Sequence, residues 1–446
     1  MRRFFILLAA FVLAALAAAA IYNIPAVNDR LSWRVELLAS RVRKIIAPQP
    51  ETLPTPSYPI AAPPTFAIET PANPPITQPP NSLTPQLPSA DSPTVTPEPM
   101  PLPLVYDLPS SVLLEASRRE PQLQNNCGAA TLVGDLTYWG WQGSEPDAPA
   151  WNASGKDIRW QKDIAAVIKP GGGVDKNLMP YELVNYAVDY AGLNAVIRYG
   201  GDIDTLRLFV ANGYPVIIER GFREEEHQLA GEGWEGHYGY VKGYDDDQRI
   251  AYTQDSFKWQ DINYPRPYDD LLRDWRDFNY VYIILYSSSR TAEVTALLGP
   301  DADPIANYNH ALAKAQAETQ QLTDPTELAF AWFNVGTSLT LLERYADAAA
   351  AFDQARSYGA LPWRMLWYQT GMYKAYYHSG RYQDVIDLAG VTLQTPGLEE
   401  SYYWRGWAYY QMGNLGGAVA DMRAALDTHP AWDQALAALA QWGLNP

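Results

Sequence analysis

The stretch Gln122-Leu-Gln-Asn-Asn-Cys-Gly-Ala-Ala130 holds the only cysteine of this 446-residue chain, at the point where turn-forming asparagines give way to a run with helical spacing. Cys127 is thereby predicted at a helix N-terminus, where aligned backbone dipoles and unpaired amides favour the thiolate and lower the thiol pKa. Gly128 beside it would let a substrate backbone approach closely. The competing use of a lone cysteine is as a small buried hydrophobe, which is the commoner fate of a free thiol. A single cysteine also excludes an intramolecular disulfide, so export has to be argued from the N-terminus and not from cysteine pairing.

A thiolate nucleophile needs a base to receive its proton and to protonate the leaving amine, and histidine serves both steps. Of the five histidines, His310, His378 and His429 fall in the C-terminal part, where a helical surface position is their ordinary use. His227 follows three glutamates in a polar loop, whereas His237 opens the strand-like run Gly-His-Tyr-Gly-Tyr-Val-Lys-Gly-Tyr-Asp, residues 236–245. A rigid strand could aim His237; the plainer alternative is a strand-edge histidine satisfied by backbone. Asp255 follows the next run, Arg-Ile-Ala-Tyr-Thr, at the distance a hairpin needs to set it beside His237, where a carboxylate would hold the imidazole tautomer. A turn aspartate is the competing use. Gln122 and Gln124 both precede the cysteine closely enough to offer an amide donor to an oxyanion.

Around these residues, from Leu113 to Tyr286, the hydrophobic period switches repeatedly between helical and strand spacing, which predicts a mixed α+β domain over residues 110–290. Helices are expected at Gly128–Trp139, Met179–Ala191, Ile203–Ala211 and Tyr268–Trp275. Strands are expected at Ala195–Tyr199, Pro215–Glu219, His237–Gly243, Arg249–Thr253 and Tyr280–Tyr286. No run of His, Cys or Asp has metal-ligand spacing, so neither metal nor another cofactor is expected.

The combination of Gln122-x4-Cys127-Gly128, Gly-His-Tyr at 236–238 with Gly-Tyr-Asp at 243–245, and Gln-Asp at 254–255 resembles family thirty-nine of the cysteine peptidases. That is the bacteriocin-processing, double-glycine leader peptidase group, including its branch without a transporter. The resemblance implies a papain-like fold with Cys127 as nucleophile, His237 as base, Asp255 as the residue that orients it and Gln122, by its spacing, as the oxyanion donor. Ala129 stands where many relatives carry proline. No ATP-binding cassette or multi-span transporter segment is recognisable in the chain, so the resemblance does not extend to bacteriocin export.

Farther out, Arg2 and Arg3 precede an uncharged apolar run from Phe4 to Ile21. Residues 1–24 are predicted to be an export signal, its length favouring a retained single-pass anchor over a cleaved peptide that would leave the protein secreted. Residues 25–46 have the spacing of a basic amphipathic juxtamembrane helix. Residues 47–109 hold 20 of the 36 prolines and are expected to form an extended spacer that holds the later domains off the membrane. After a helical connector at 291–327, residues 328–446 resemble tetratricopeptide repeats: Trp332, Gly336, Ala348, Phe352 and Ala355 are echoed by Tyr402, Gly406, Tyr409, Ala418 and Ala425. The two glycines lie 70 residues apart, close to two 34-residue periods.

A formal net charge of -17 leaves no phosphate-neutralising face, which excludes nucleic acid as a partner. The expected function is therefore an extracytoplasmic, membrane-tethered cysteine peptidase acting on peptide or protein, with the repeats recruiting a protein partner. Two alternatives stay open: a catalytically idle surface adaptor, and an amidase or acyl transferase that uses the same triad.

Overall fold

Strand β4 (Glu235–Asp245) is buried along almost its entire length because it runs through the middle of a seven-stranded sheet with helices on both faces. This computed structural model describes residues 52–56, 58, 60, 66, 104–115, 117–123, 125–143, 159–170, 177–222, 233–257, 262–394 and 398–445. The sheet order is β2 (Asn194–Arg198), β7 (Tyr282–Tyr286), β3 (Val216–Phe222), β4, β5 (Ile250–Gln254) and β6 (Tyr264–Pro267). The short β1 (Ser111–Leu113) pairs with the far end of β4, and every neighbouring pair is antiparallel.

Side-chain alternation decides which helices each face receives. Val216 and Ile218 of β3 and Val241 of β4 join one apolar cluster, with Leu206, Phe209, Leu271 and Trp275 from α4 (Ile203–Ala211) and α5 (Tyr268–Arg276). Ile217, Tyr238 and Tyr240 point the other way, onto Leu132, Val133, Ile164 and Leu183 of α1 (Cys127–Tyr138), α2 (Arg159–Ile168) and α3 (Pro180–Asp189). Strand β7, Tyr-Ile-Ile-Leu-Tyr, is buried at all five positions because both of its faces are covered. The expected α+β architecture is met, and the predicted helices and strands lie within a few residues of the observed ones. Three elements were not expected: β1, α2 and β6. Pro265 and Pro267 argued against a strand, and they are tolerated because β6 is the edge of the sheet.

The chain then becomes wholly helical. Helix α6 (Thr291–Leu298), inside the stretch expected to be a connector, adds Val294, Leu297 and Leu298 to the core of the sheet domain. Beyond it come α7 (Pro304–Gln321), α8 (Pro325–Leu341) and α9 (Tyr345–Ser357), a 3-10 turn at Trp363–Trp367, then α10 (Gly371–His378), α11 (Tyr382–Thr392), α12 (Glu399–Gln411), α13 (Leu415–Thr428) and α14 (Asp433–Gln441). Pro325 sits in the first turn of α8, and the Asp324 side chain accepts from the amides of Thr326 and Glu327. Gly336 and Gly406 are close-approach positions: an added Cβ would fall 2.6 Å from the Phe352 ring in the first case and 3.2 Å from the Ala418 carbonyl in the second.

Part of the stretch expected to be a spacer is not free. Residues 52–56 and 58 pack on the helical region and Leu104 packs on the sheet domain, because Leu53, Tyr58 and Leu104 are apolar or aromatic anchors among the prolines. The expected anchor at 1–24, the juxtamembrane helix at 25–46 and most of 47–109 lie outside the described residues. Among the described residues no helix is long and apolar enough to cross a membrane.

Candidate active site

Helix α1 begins at Cys127 itself. The approach to it, residues 117–123 and 125–126, is held by α2. Asn126 Nδ2 donates to Gln161 Oε1 at 3.0 Å, Gln161 Nε2 donates to the Pro121 carbonyl at 2.9 Å, and the Gln161 amide donates to the buried Glu120 carboxylate at 2.9 Å. The first intrahelical bond runs from Ala130 N to Asn126 O, which leaves the amides of Cys127, Gly128 and Ala129 at the open end of the helix. Gly128 does not face a ligand as expected. A Cβ there would lie 3.2 Å from Leu178 and 3.4 Å from Tyr238, so its small size serves internal packing.

The pairing of β4 with β5 carries Asp255 to His237. Tyr240 faces Gln254, so one residue further Asp255 falls opposite Gly239, on the same face as His237. His237 Nε2 lies 3.0 Å from Asp255 Oδ1, which also accepts from the Phe257 amide at 2.8 Å. The other carboxylate oxygen accepts from Arg220 Nη2 at 3.2 Å, and Arg119 Nε donates to the Asp255 carbonyl at 2.9 Å. Burial alone would raise the Asp255 carboxyl, but the charge and hydrogen bond of His237, with Arg220 and the Phe257 amide behind them, hold it well below the usual carboxylate range. The imidazole is flanked by Phe222, with ring centroids 5.0 Å apart, and by the edge of Phe257.

Cys127 and His237 line one cleft, with Gln122, Asn125, Asn177, Phe222, Glu235 and Phe257 around them. It encloses about 410 Å³ of empty space, part of it open to solvent. Gln122 is fixed at both ends: its amide donates to the Ser256 carbonyl at 3.1 Å, and its Oε1 accepts from Ser256 Oγ at 2.9 Å. Its side-chain nitrogen is thereby the end left for the cleft. The four residues singled out in the sequence thus come together. Gln124 and His227 lie outside the described residues, while His310 pairs with Asp301, His378 stacks on Tyr345 and His429 pairs with Glu399, all away from the cleft.

Burial works against the expected depression of the thiol pKa by the helix end. Burial pushes the Cys127 thiol up to about 12, the Glu219 and Glu235 carboxyls add to the rise, and backbone hydrogen bonds from Tyr238 and Gly128 offset only part of it. The side chain is 7% exposed, and desolvation of a thiolate outweighs the favourable end of one helix.

Sequence reasoning missed three contributors. Arg220 reads as an outward-facing charge on β3, yet it is 2% exposed and bridges Asp255 to the vicinity of Asp274. Glu219 beside it is also buried, and burial holds its carboxyl well above the usual range. The third contributor is the segment after Leu361, which forms a wall of the cleft. Tyr368 lines the cleft, Arg364 Nη1 pairs with Glu235 Oε1 at 3.0 Å, and Asn177 Nδ2 donates to the Trp367 carbonyl at 2.9 Å. Gly236 makes this approach possible, since a Cβ there would sit 2.7 Å from both Phe278 and Tyr368.

A second buried charge cluster joins the two regions. Lys169 Nζ lies 3.0 Å from Glu399 Oε1, and Glu182, Glu399 and His429 bring three ligand-type atoms within 4.8 Å of one another. No linear spacing announces this group, and Lys169 already places a cation against Glu399.

Residues 115–289 match the model of the Peptidase_C39 like family. Two solved structures are similar to this chain. A C39-like peptidase from Bacillus anthracis is 19% identical and the match covers 39% of this chain and 98% of that one, with a TM-score of 0.27. Xylellain, a cysteine protease from Xylella fastidiosa, is 16% identical, with 40% and 87% covered and a TM-score of 0.25. No curated protein matches the chain.

Proposed function

We propose that this protein is a cysteine peptidase that hydrolyses peptide bonds through a thioester, with Cys127 as nucleophile, His237 as base and acid, Asp255 as the orienting residue and Gln122 as oxyanion donor. The observation that carries the proposal is the shared cleft of Cys127 and His237, in which Asp255 takes one imidazole nitrogen at 3.0 Å. Asp255 holds the proton on Nε2, which leaves Nδ1 with a free pair for the thiol proton. As the Cys127 sulfur attacks the scissile carbonyl, His237 takes the thiol proton and then gives it to the leaving amine. The oxyanion is met by the Gln122 side-chain amide and the open end of α1. Water, deprotonated by His237, then cleaves the thioester and restores the thiol. The match of residues 115–289 to a peptidase family supports this chemistry.

With burial raising the thiol to about 12, the sulfur rests protonated, and proton transfer accompanies attack. Alkylation of Cys127 by iodoacetamide is then expected to accelerate about tenfold per pH unit between pH 7 and 10. A plateau beginning below pH 6 would instead show a preformed ion pair. A peptide-like electrophile should label Cys127 at least a hundredfold faster than iodoacetamide does, and His237→Ala should abolish that difference. Equal labelling with and without His237 defeats the peptidase assignment.

The apolar run from Phe4 to Ile21 supports membrane tethering with both folded regions outside the cytoplasm. The paired helices with Gly336 and Gly406 at their crossings support tetratricopeptide-like repeats that recruit a protein partner. The burial of the thiol favours one competing function, an adaptor whose cleft is catalytically idle. Unchanged cellular output with Cys127→Ala would select it.

A further inference from the structure

Residues 52–56 and 58 belong to the proline-rich stretch, but they lie on the helical region about three hundred residues later in the chain. Thr52 forms an antiparallel bridge with Pro362, and Leu53 N donates to the Leu361 carbonyl at 2.8 Å. The Leu53 side chain is 2% exposed and belongs to the same apolar core as Ala351, Ala355, Leu361 and Met365. Arg356 Nε donates to the Pro54 carbonyl at 2.9 Å. Tyr58 donates its hydroxyl to Asp353 Oδ1 at 2.7 Å, and the Arg381 guanidinium lies 5.0 Å from its ring centroid.

Each contact reads a feature of an extended, proline-containing peptide. A buried leucine supplies the apolar anchor. Proline has no amide hydrogen to satisfy, so a guanidinium on its carbonyl completes its backbone requirements. A phenol is held by a carboxylate at its tip and a cation on its face. The site is made of side chains from α9, the loop after it and the start of α11, and it was not built by the local sequence of the strap.

The bridge also has a mechanical consequence. Leu361 and Pro362 immediately precede the turn Trp363–Trp367, which carries Arg364 to Glu235 and Tyr368 to the wall of the cleft. A strap fastened at Leu361 therefore limits how far that wall can move.

We propose that Asp353, Arg356, Leu361 and Arg381 form a binding site for an extended Leu-Pro-x-Pro-x-Tyr peptide, that residues 53–56 and 58 of the same chain occupy it, and that this occupancy braces the wall of the cleft. The bracing half rests on the peptidase function proposed above; the binding half does not. Tethering gives the strap an effective concentration on the order of millimolar, so a free peptide competes poorly until the strap is weakened.

The test uses the full chain and a fluorescein-labelled peptide spanning residues 50–60. Leu53→Asp should open the site, so anisotropy should show binding at least tenfold tighter than to the wild type. Adding Arg356→Ala should remove that binding. The milder Tyr58→Phe, which deletes one hydroxyl, should give an intermediate gain if Leu53→Asp disturbs folding. Equal peptide binding by wild type and both single variants overturns the site. Iodoacetamide labelling of Cys127 tests the brace independently of turnover: the rate should rise at least threefold in Leu53→Asp and return toward wild type when unlabelled peptide is added. An unchanged rate overturns the brace and leaves the peptidase assignment untouched.

Discussion

Two groups of buried carboxylates face opposite electrostatic fates. Asp255 meets His237, Arg220, Arg119 and the Phe257 amide, and its carboxyl is held low. At the junction of the two regions, Glu182, Glu399 and Glu400 share one lysine, Lys169, with His429 alongside. There burial raises Glu182 and Glu400, and neither carboxylate oxygen of Glu400 has a hydrogen-bond partner among the described residues. Glu399 alone is lowered: burial opposes the shift, but Lys169 and His429 outweigh it. Desolvation is similar at the two places, so the number and placement of donors decides whether a buried acid is an anion or a neutral group.

Removing the donor from the satisfied group should have the largest effect. Arg220→Met leaves Asp255 buried with one cation fewer, and a broken buried pair costs about 3–5 kcal/mol; urea denaturation should show that loss together with slower labelling of Cys127. Gly236→Ala attacks the junction sterically, since the Phe278 and Tyr368 rings must retreat from a new methyl group 2.7 Å away. A cost of about 1–3 kcal/mol is expected, with increased exposure of the cleft wall in amide exchange. Glu400→Gln should act in the opposite direction. It removes an acid that cannot ionise comfortably and should stabilise the protein at pH 8 by about 1–2 kcal/mol in the same assay. A loss of stability there would mean that Glu400 has a stabilising partner.

The smallest effect is a divergence with pH. A lowered carboxyl contributes stability above its unfolded pKa of about 4 and loses it as pH falls, so the Asp255 network should loosen only in acid. Raised carboxyls do the reverse: the contribution of Glu182 and Glu400 is complete below about pH 4 and declines as pH rises, partly offset by Glu399. From pH 5 to 8 the protection factors for amide exchange, taken relative to the intrinsic rate at each pH, should therefore fall around residues 398–402 while those of β4 hold. Parallel behaviour of the two places would erase the contrast.

Much of the sheet domain was legible because its signals are local. The β-branched run Val-Ile-Ile and the spacing of Tyr-Gly-Tyr-Val mark strands, and the hairpin spacing between His237 and Asp255 follows from strand pairing. Strand β6 was hidden by its prolines, β1 by its length of 3 residues and α2 by a polar surround that gave no boundary signal. Arg220 was hidden because a charge on a strand reads as solvent-facing until neighbouring strands cover it.

By itself the sequence determined the α+β class, the helical C-terminal region, the turn that starts a helix at Cys127 and the strand that carries His237, all consequences of periodicity and of what Asn, Gly and Pro allow the backbone to do. Only the tertiary structure decided the state of the thiol, the donors around Asp255, the wall supplied by Arg364 and Tyr368 and the docking of Leu53 beside Leu361. Each of these depends on desolvation or on contacts between residues far apart in the chain, and a linear pattern carries no measure of either.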